Sequence, residues 1–208
     1  MQQDFKRPQI IFDGAAVLQA AFTAATTDII TSNSHGFSGG EILRLTTSTT
    51  LPAGLSASTD YYVRDVTTNT FKLSATPDGT PVDITDTGTG THTFHLQGKV
   101  IYTMGYRHLD LHIASSGTST MTFKFQGSFS DAVPAFANAQ STSNEWDYVD
   151  VQDLEDGSSI DGDTGIALSG ADDNRHLEVN VNQLRYFTVA ITAWTQGKLR
   201  ATLTLSNG

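Results

Sequence analysis

The run Ile30-Thr-Ser-Asn-Ser-His-Gly-Phe-Ser-Gly-Gly-Glu-Ile-Leu-Arg-Leu45 decides between two fold classes. A phosphate cradle needs G-x-x-x-x-G-K-[ST] between a strand and a helix, because the lysine and the helix N-terminus neutralise the phosphate. Here Gly39-Gly40 runs into Glu41 and then a strand-like stretch, so both the charge and the element are wrong. Ser34 and His35 stand side by side, but a triad cannot be read from neighbours alone, and the chain is read as having no nucleophile elbow of G-x-S-x-G type. The turn reading explains more. Asn33, Gly36, Gly39 and Gly40 tolerate positive φ, Phe37 can fold back onto a small core, and His35 would pin the loop.

The same grammar runs along the chain. Alternating apolar runs are broken by Gly, Pro, Asn or Asp at roughly every eight to twelve residues, the pattern of short strands and turns. Strands are expected near Asp28–Thr31, Glu41–Thr46, Asp60–Val66, Thr70–Ser74 and Thr91–Leu96. A second set is expected at Val100–Thr103, Tyr106–Ile113, Thr118–Gly127, Tyr148–Gln152, His176–Val181, Arg185–Ala193 and Lys198–Leu205, the last two joined as a hairpin across Trp194-Thr-Gln-Gly197. Ala15–Ala25 and Ala135–Ala139 admit at most a short helical turn.

Composition shifts at both edges of residues 23 to 96. Small β-modules keep their termini close and insert into a host loop at little cost. The expected organisation is therefore a β-sandwich, jelly-roll-like domain of residues 1–22 plus 97–208, carrying an inserted small β-roll or barrel at 23–96. Two domains in tandem after an N-terminal arm are the alternative.

With 12 Lys+Arg against 22 Asp+Glu among 208 residues, the net charge of -10 repels phosphate backbones and anionic lipid. Direct nucleic-acid and membrane partners are not expected. Zero cysteines exclude disulfides, thiolate metal sites and a Cys nucleophile. No run approaches the roughly eighteen apolar residues of a membrane span, and the first residues lack an apolar h-region, so a soluble protein without its own export signal is expected.

Three groups of residues carry possible chemistry. In Tyr106–Ile113, His108, Asp110 and His112 share one strand face opposite Leu109, Leu111 and Ile113. Alternate residues on a strand lie some 6 to 7 Å apart, so three from one strand rarely converge on one ion. A polar outer face or a subunit contact is the expected use. Glu145 to Asp173 holds ten carboxylates and no Lys or Arg. Asp153, Asp156, Asp161 and Asp163 among glycines resemble a calcium loop, yet the EF-hand register is absent; solvated turns facing a basic partner are expected, and paired glycosidase carboxylates need a separation the sequence does not give. Trp146 and Trp194, with Phe123, Phe125, Phe129, Phe136, Tyr148, Tyr186 and Phe187, supply core or interface, or else a carbohydrate-stacking platform. No catalytic, cofactor-binding or metal residue is assigned, no cofactor is expected, and no complete catalytic motif marks an enzyme.

One resemblance adds to this reading. Ser34-His-Gly-Phe37 with Gly40-Glu41, Leu51-Pro-Ala-Gly-Leu55, Asp60-Tyr-Tyr-Val63, Phe71-Lys-Leu73 and Val82-Asp-Ile-Thr-Asp-Thr-Gly-Thr-Gly90 together resemble a small β-module that recurs in virion proteins of tailed bacteriophages. It covers about a third of the chain. More weakly, Phe125-Gln-Gly-Ser128, Asn144-Glu-Trp-Asp-Tyr148, Asp161-Gly-Asp-Thr-Gly165 and Val179-Asn-Val-Asn182 are similar to patterns in small head- or tail-associated phage proteins. The resemblance implies a non-catalytic structural protein of the virion. A capsid decoration (cement) protein is expected, made in the host cytoplasm and placed on the outer capsid surface rather than the tail. Its implied partners are copies of itself, as a trimer or other symmetric oligomer, and the major capsid protein or other virion proteins. The polar arm Gln2–Pro8 could add a strand edge or thread under a neighbour. The alternatives are a tail tube, baseplate or fibre-connecting protein and, from another class, a host-receptor or glycan-binding module using Trp146, Trp194 and exposed tyrosines.

Overall fold

The computed structural model describes residues 8–134, 145–170 and 173–207. Residues Gln2–Arg7 of the arm, the Ala135–Ala139 turn with Phe136, and Ala171-Asp172 of the acidic run lie outside them. All regular structure among the described residues is β. The chain divides into two units, Met1–Ala15 with Gly98–Gly208, and Ala16–Gln97.

The second unit is a closed six-stranded barrel. Its strands are β2 (Gln19–Ala24), β3 (Ile30–Thr31), β4 (Ile42–Thr47), β5 (Tyr61–Arg64), β6 (Thr70–Ser74) and β7 (His92–Gln97), joined in the order β2-β3-β6-β5-β4-β7. Every pairing is antiparallel, and β7 returns to β2 through Gln19↔His95 to Phe22↔His92. Closure leaves no unpaired strand edge. Period-two alternation fills the interior: Leu43 and Leu45, Tyr61 and Val63, Phe71 and Leu73, and Phe94 and Leu96 point inward and are buried. This unit runs from Ala16 to Gln97, against the 23 to 96 read from the composition shift. Within Ala15–Ala25, Gln19–Ala24 forms a strand instead of a helical turn, because β2 buries Phe22 and completes the barrel, and this pairing overrides the helix preference of its alanines.

The first unit is one nine-stranded sheet. β1 (Gln9–Asp13), β8 (Ile101–Tyr102), β9 (His108–Ser128), β10 (Asp147–Tyr148), β11 (Val151–Asp153), β12 (Ser159–Ile160), β13 (Ile166–Gly170), β14 (Asn174–Asn180) and β15 (Tyr186–Ser206) contribute, with the main path β1-β15-β9-β14-β11-β12. β9 and β15 are each 21 residues long and pair from Ser206↔His108 to Tyr186↔Ser128. Odd-numbered residues of β9 face inward on both halves, with Leu109, Leu111 and Ile113 followed by Met121, Phe123 and Phe125, so one continuous face supplies the core. β14 flanks the first half and β13 and β10 the second, which divides this sheet into two regions around the β9–β15 ribbon.

Two sequence expectations are corrected here. Tyr106–Ile113 and Thr118–Gly127 are parts of one strand, and Arg185–Ala193 and Lys198–Leu205 do not form a hairpin. The chain continues through Trp194–Gly197 against β9, and its register shifts at Ile191/Ala193, Trp194/Gln196 and Gln196/Lys198 absorb the extra residues. Such bulges bend a strand without reversing it.

Candidate interaction surfaces

In the barrel, the loop from Ser34 to Gly40 is built around its own side chains. Ser34 and Gly36 adopt positive φ of 51° and 73°, and Gly39 and Gly40 follow at 108° and 88°. Glu41 Oε1 accepts the Ser38 N–H at 2.6 Å and its hydroxyl at 2.9 Å, while Oε2 accepts the Gly39 N–H at 2.8 Å. The carboxylate thus takes the backbone donors that a phosphate would need. Gly36-Phe-Ser-Gly-Gly40 does spell G-x-S-x-G, a match the sequence reading passes over. The structure gives it no elbow: the element that follows is a strand, and the Ser38 hydroxyl is spent on Glu41.

His35 is buried, stacks on Phe37 with centroids 4.7 Å apart, and meets Phe71 edge-on at 5.1 Å. Its Nδ1 accepts the Phe37 N–H at 3.0 Å. Burial lowers its pKa, opposed by the carbonyls of Thr70 and Thr67 and by Glu41, so the ring is held neutral with its proton on Nε2. That Nε2 has no well-formed hydrogen bond; the Thr67 and Thr70 carbonyls act on it electrostatically. The remaining motif residues also tie loops together. Asp86 Oδ1 accepts the N–H groups of Ala53 at 2.9 Å and Gly88 at 2.8 Å, which hold its carboxyl below the usual range. Gly54, at φ 100°, has the Asp83 carbonyl only 2.2 Å from where a Cβ would stand, so no side chain fits in Leu51-Pro-Ala-Gly-Leu55.

On the sheet of the first unit, His108, Asp110 and His112 do share one face, and each finds its neighbour across strands. Asn180, Glu178 and His176 of β14 oppose them in register, and Ser206, Thr204 and Thr202 of β15 flank the other side. His108 Nδ1 contacts Glu178 Oε1 at 2.5 Å. His112 stacks on His176 with centroids 4.6 Å apart and planes 26° from parallel. Sequence reasoning missed Glu178 and His176, since only the β9–β14 register brings them there. Among the described residues no three His, Cys, Asp or Glu side chains converge on a metal position.

The acidic run is largely occupied by its own turns. Asp153, buried, accepts the Glu155 N–H on Oδ1 at 2.9 Å and the Arg175 guanidinium on Oδ2 at 3.1 Å. Asp156 accepts the Ser158 N–H, Asp161 those of Asp163 and Thr164, and Asp150 that of Gly162. Asp163 pairs with Lys124 at 2.9 Å and Asp173 with Arg175 at 3.3 Å. These are Asx turns and ion pairs, and they give the carboxylates an architectural role.

Of the aromatic candidates, Trp146 is buried and Trp194 is partly exposed, donating its indole N–H to the Gly197 carbonyl at 2.9 Å. Phe123, Phe125 and Phe187 are core. Phe129 is 63% exposed. Together with Tyr148, Asp147, Asp150, Asn182 and Leu184 it lines a surface cleft of about 570 Å³. Lys124 Nζ lies 4.8 Å from the centre of the Tyr148 ring. Tyr102 and Tyr186 form a second pair at 5.5 Å, beside exposed Met104.

The fold defines a two-unit all-β protein in which one unit is a closed barrel. No family model matches the chain, and no curated protein matches it. Two solved structures are distantly similar. The SPBc2 prophage-derived protein YomS is 13% identical over 53% of this chain and 80% of its own, with a TM-score of 0.38. The PBSX exported protein XepA is 9% identical over 96% of this chain and 86% of its own, also with a TM-score of 0.38.

Proposed function

We propose that this chain is a structural component of a bacteriophage virion, serving as a decoration or cement protein on the outer capsid shell. One observation carries the reading: residues that resemble the recurrent phage module supply part of the barrel core and fasten its loops. Phe37, Tyr61, Val63, Phe71 and Leu73 are part of its core, while Glu41 and Asp86 fasten its loops. The resemblance therefore falls on residues with structural roles in β5, β6 and the loops between β3 and β7, while β2, β3 and β7 themselves lie outside the matching stretches. The barrel's first and last strands, β2 and β7, pair with each other, which suits a module carried on a loop of a host domain. A body of cysteine-free β-structure gains stability from symmetric assembly, so self-association and contact with the major capsid protein belong to this reading. Catalysis does not. Antibody labelling of intact particles is expected to mark the head; label confined to the tail would move the protein to a tube, baseplate or fibre connection.

A receptor- or glycan-binding role is the second reading, favoured by the cleft in which exposed Phe129 and half-buried Tyr148 stand beside Asp147, Asp150 and Asn182. Aromatic faces next to carboxylate and amide groups suit a sugar ring. A glycan array without hits, together with unchanged host adsorption by a deletion phage, would remove it.

A further inference from the structure

The outer face of the large sheet presents two histidines whose rings engage in no hydrogen bond among the described residues. His112 and His176 are directly opposed in the β9–β14 register, with stacked rings. Among the described residues neither ring takes part in a hydrogen bond or an ion pair. Their neighbour His108 differs, since its Nδ1 is tied to Glu178. Asp110 lies one step along the same face, is exposed, and has no side-chain partner among the described residues.

We propose that His112 and His176 form a two-ligand site for a borderline divalent transition-metal ion, of the zinc, nickel or copper class, with Asp110 supplying negative charge beside it and water completing the coordination. Each neutral imidazole offers one nitrogen lone pair, the donor these ions favour, and the hard cations calcium and magnesium lack the oxygen cage they require. Two nitrogens sharing an ion at about 2.0–2.1 Å each lie roughly 3 to 3.4 Å apart. The rings lie with centroids 4.6 Å apart and planes 26° from parallel, and rotation about the broad Cβ–Cγ torsions turns their in-plane lone pairs toward one ion. Geometry also selects this pair over its neighbours. Residues alternate along β9 at about 6–7 Å, whereas directly opposed residues place their Cβ atoms about 4.5–5.5 Å apart. The sheet backbone fixes that juxtaposition before any ion arrives, so little ordering cost remains.

Titration calorimetry of the full chain with zinc chloride near neutral pH is expected to show saturable one-to-one binding. His112→Gln and His176→Gln should each weaken it by about tenfold or more. Absence of saturable binding up to about 1 mM zinc, the weak end of specific affinities, would overturn the assignment, as would equal affinity in the double variant. A second measurement needs no variant: substoichiometric copper(II) added to the unmodified protein should broaden the NMR ring-proton signals of His112 and His176 first. Broadening centred on another histidine would overturn it.

Discussion

His35 stacks on Phe37 with ring centroids 4.7 Å apart while its Nδ1 accepts the Phe37 N–H at 3.0 Å. One side chain thereby fills the barrel core and fixes the loop that enters β4. His35→Ala removes both functions at once. It leaves a cavity against Phe71 and strands a buried backbone donor, so a loss of about 2–4 kcal/mol is expected. Chemical denaturation followed by a probe in the barrel measures it. A loss within about 0.5 kcal/mol, the scale of an ordinary surface substitution, would contradict the structural role.

The same residue predicts a pH dependence. His35 and His95 both have lowered pKa values in the folded state, chiefly through burial, with Arg44 adding to the effect on His95. Below the unfolded value of about 6.5 the unfolded chain takes up protons that the folded barrel refuses, so stability is present above that pH and is lost as pH falls through 6.5 toward the lowered values. Denaturation midpoints should therefore drop between neutral and mildly acidic pH. His95→Gln, which can keep the contact that Nε2 makes with Thr46 Oγ1 at 2.9 Å, should flatten the slope. A midpoint independent of pH across that window would count against both assignments.

Arg175 gives a third test. Its guanidinium bonds buried Asp153 at 3.1 Å and Asp173 at 3.3 Å, and the Asp153 bond is the main reason its pKa is raised. Arg175→Ala leaves the Asp153 carboxylate buried with only the Glu155 N–H, and a third of the arginine is exposed, so the expected loss is about 1–3 kcal/mol, below the usual figure for a fully buried pair. The double variant with Asp153→Asn should lose less than the sum of the two single changes, as expected for groups that act on each other. Additive losses in a double-mutant cycle would show that the pair is not coupled.

Apart from β2, whose alanines hid it, the barrel was legible because its strands are short and alternate cleanly. Thr70–Ser74 falls where the pattern puts it, since Phe71 and Leu73 face one way and Thr70 and Lys72 the other. The long strands were not legible. The Ala114–Gly117 segment reads as a break between two strands and Trp194-Thr-Gln-Gly197 as a hairpin turn, and no local signal tells a bulge from a turn when the pairing partner is remote in sequence. For the polar face, period two placed His108, Asp110 and His112 together, but their partners Glu178 and His176 depend on register, a tertiary property.

Trp146 separates the two functional readings. A stacking platform must be exposed, and Trp146 is only 1% exposed, so it belongs to the core. Trp146→Ala should cost about 3–5 kcal/mol, the range for a buried large aromatic, and Trp146→Phe distinctly less because most of the apolar volume remains. Any glycan binding should survive Trp146→Phe and fall with Phe129→Ala, since Phe129 is 63% exposed at the cleft. Denaturation curves and glycan binding measured on the same variants distinguish the cases. Binding lost in Trp146→Phe at unchanged stability would place the indole in a ligand contact and contradict its position in the core.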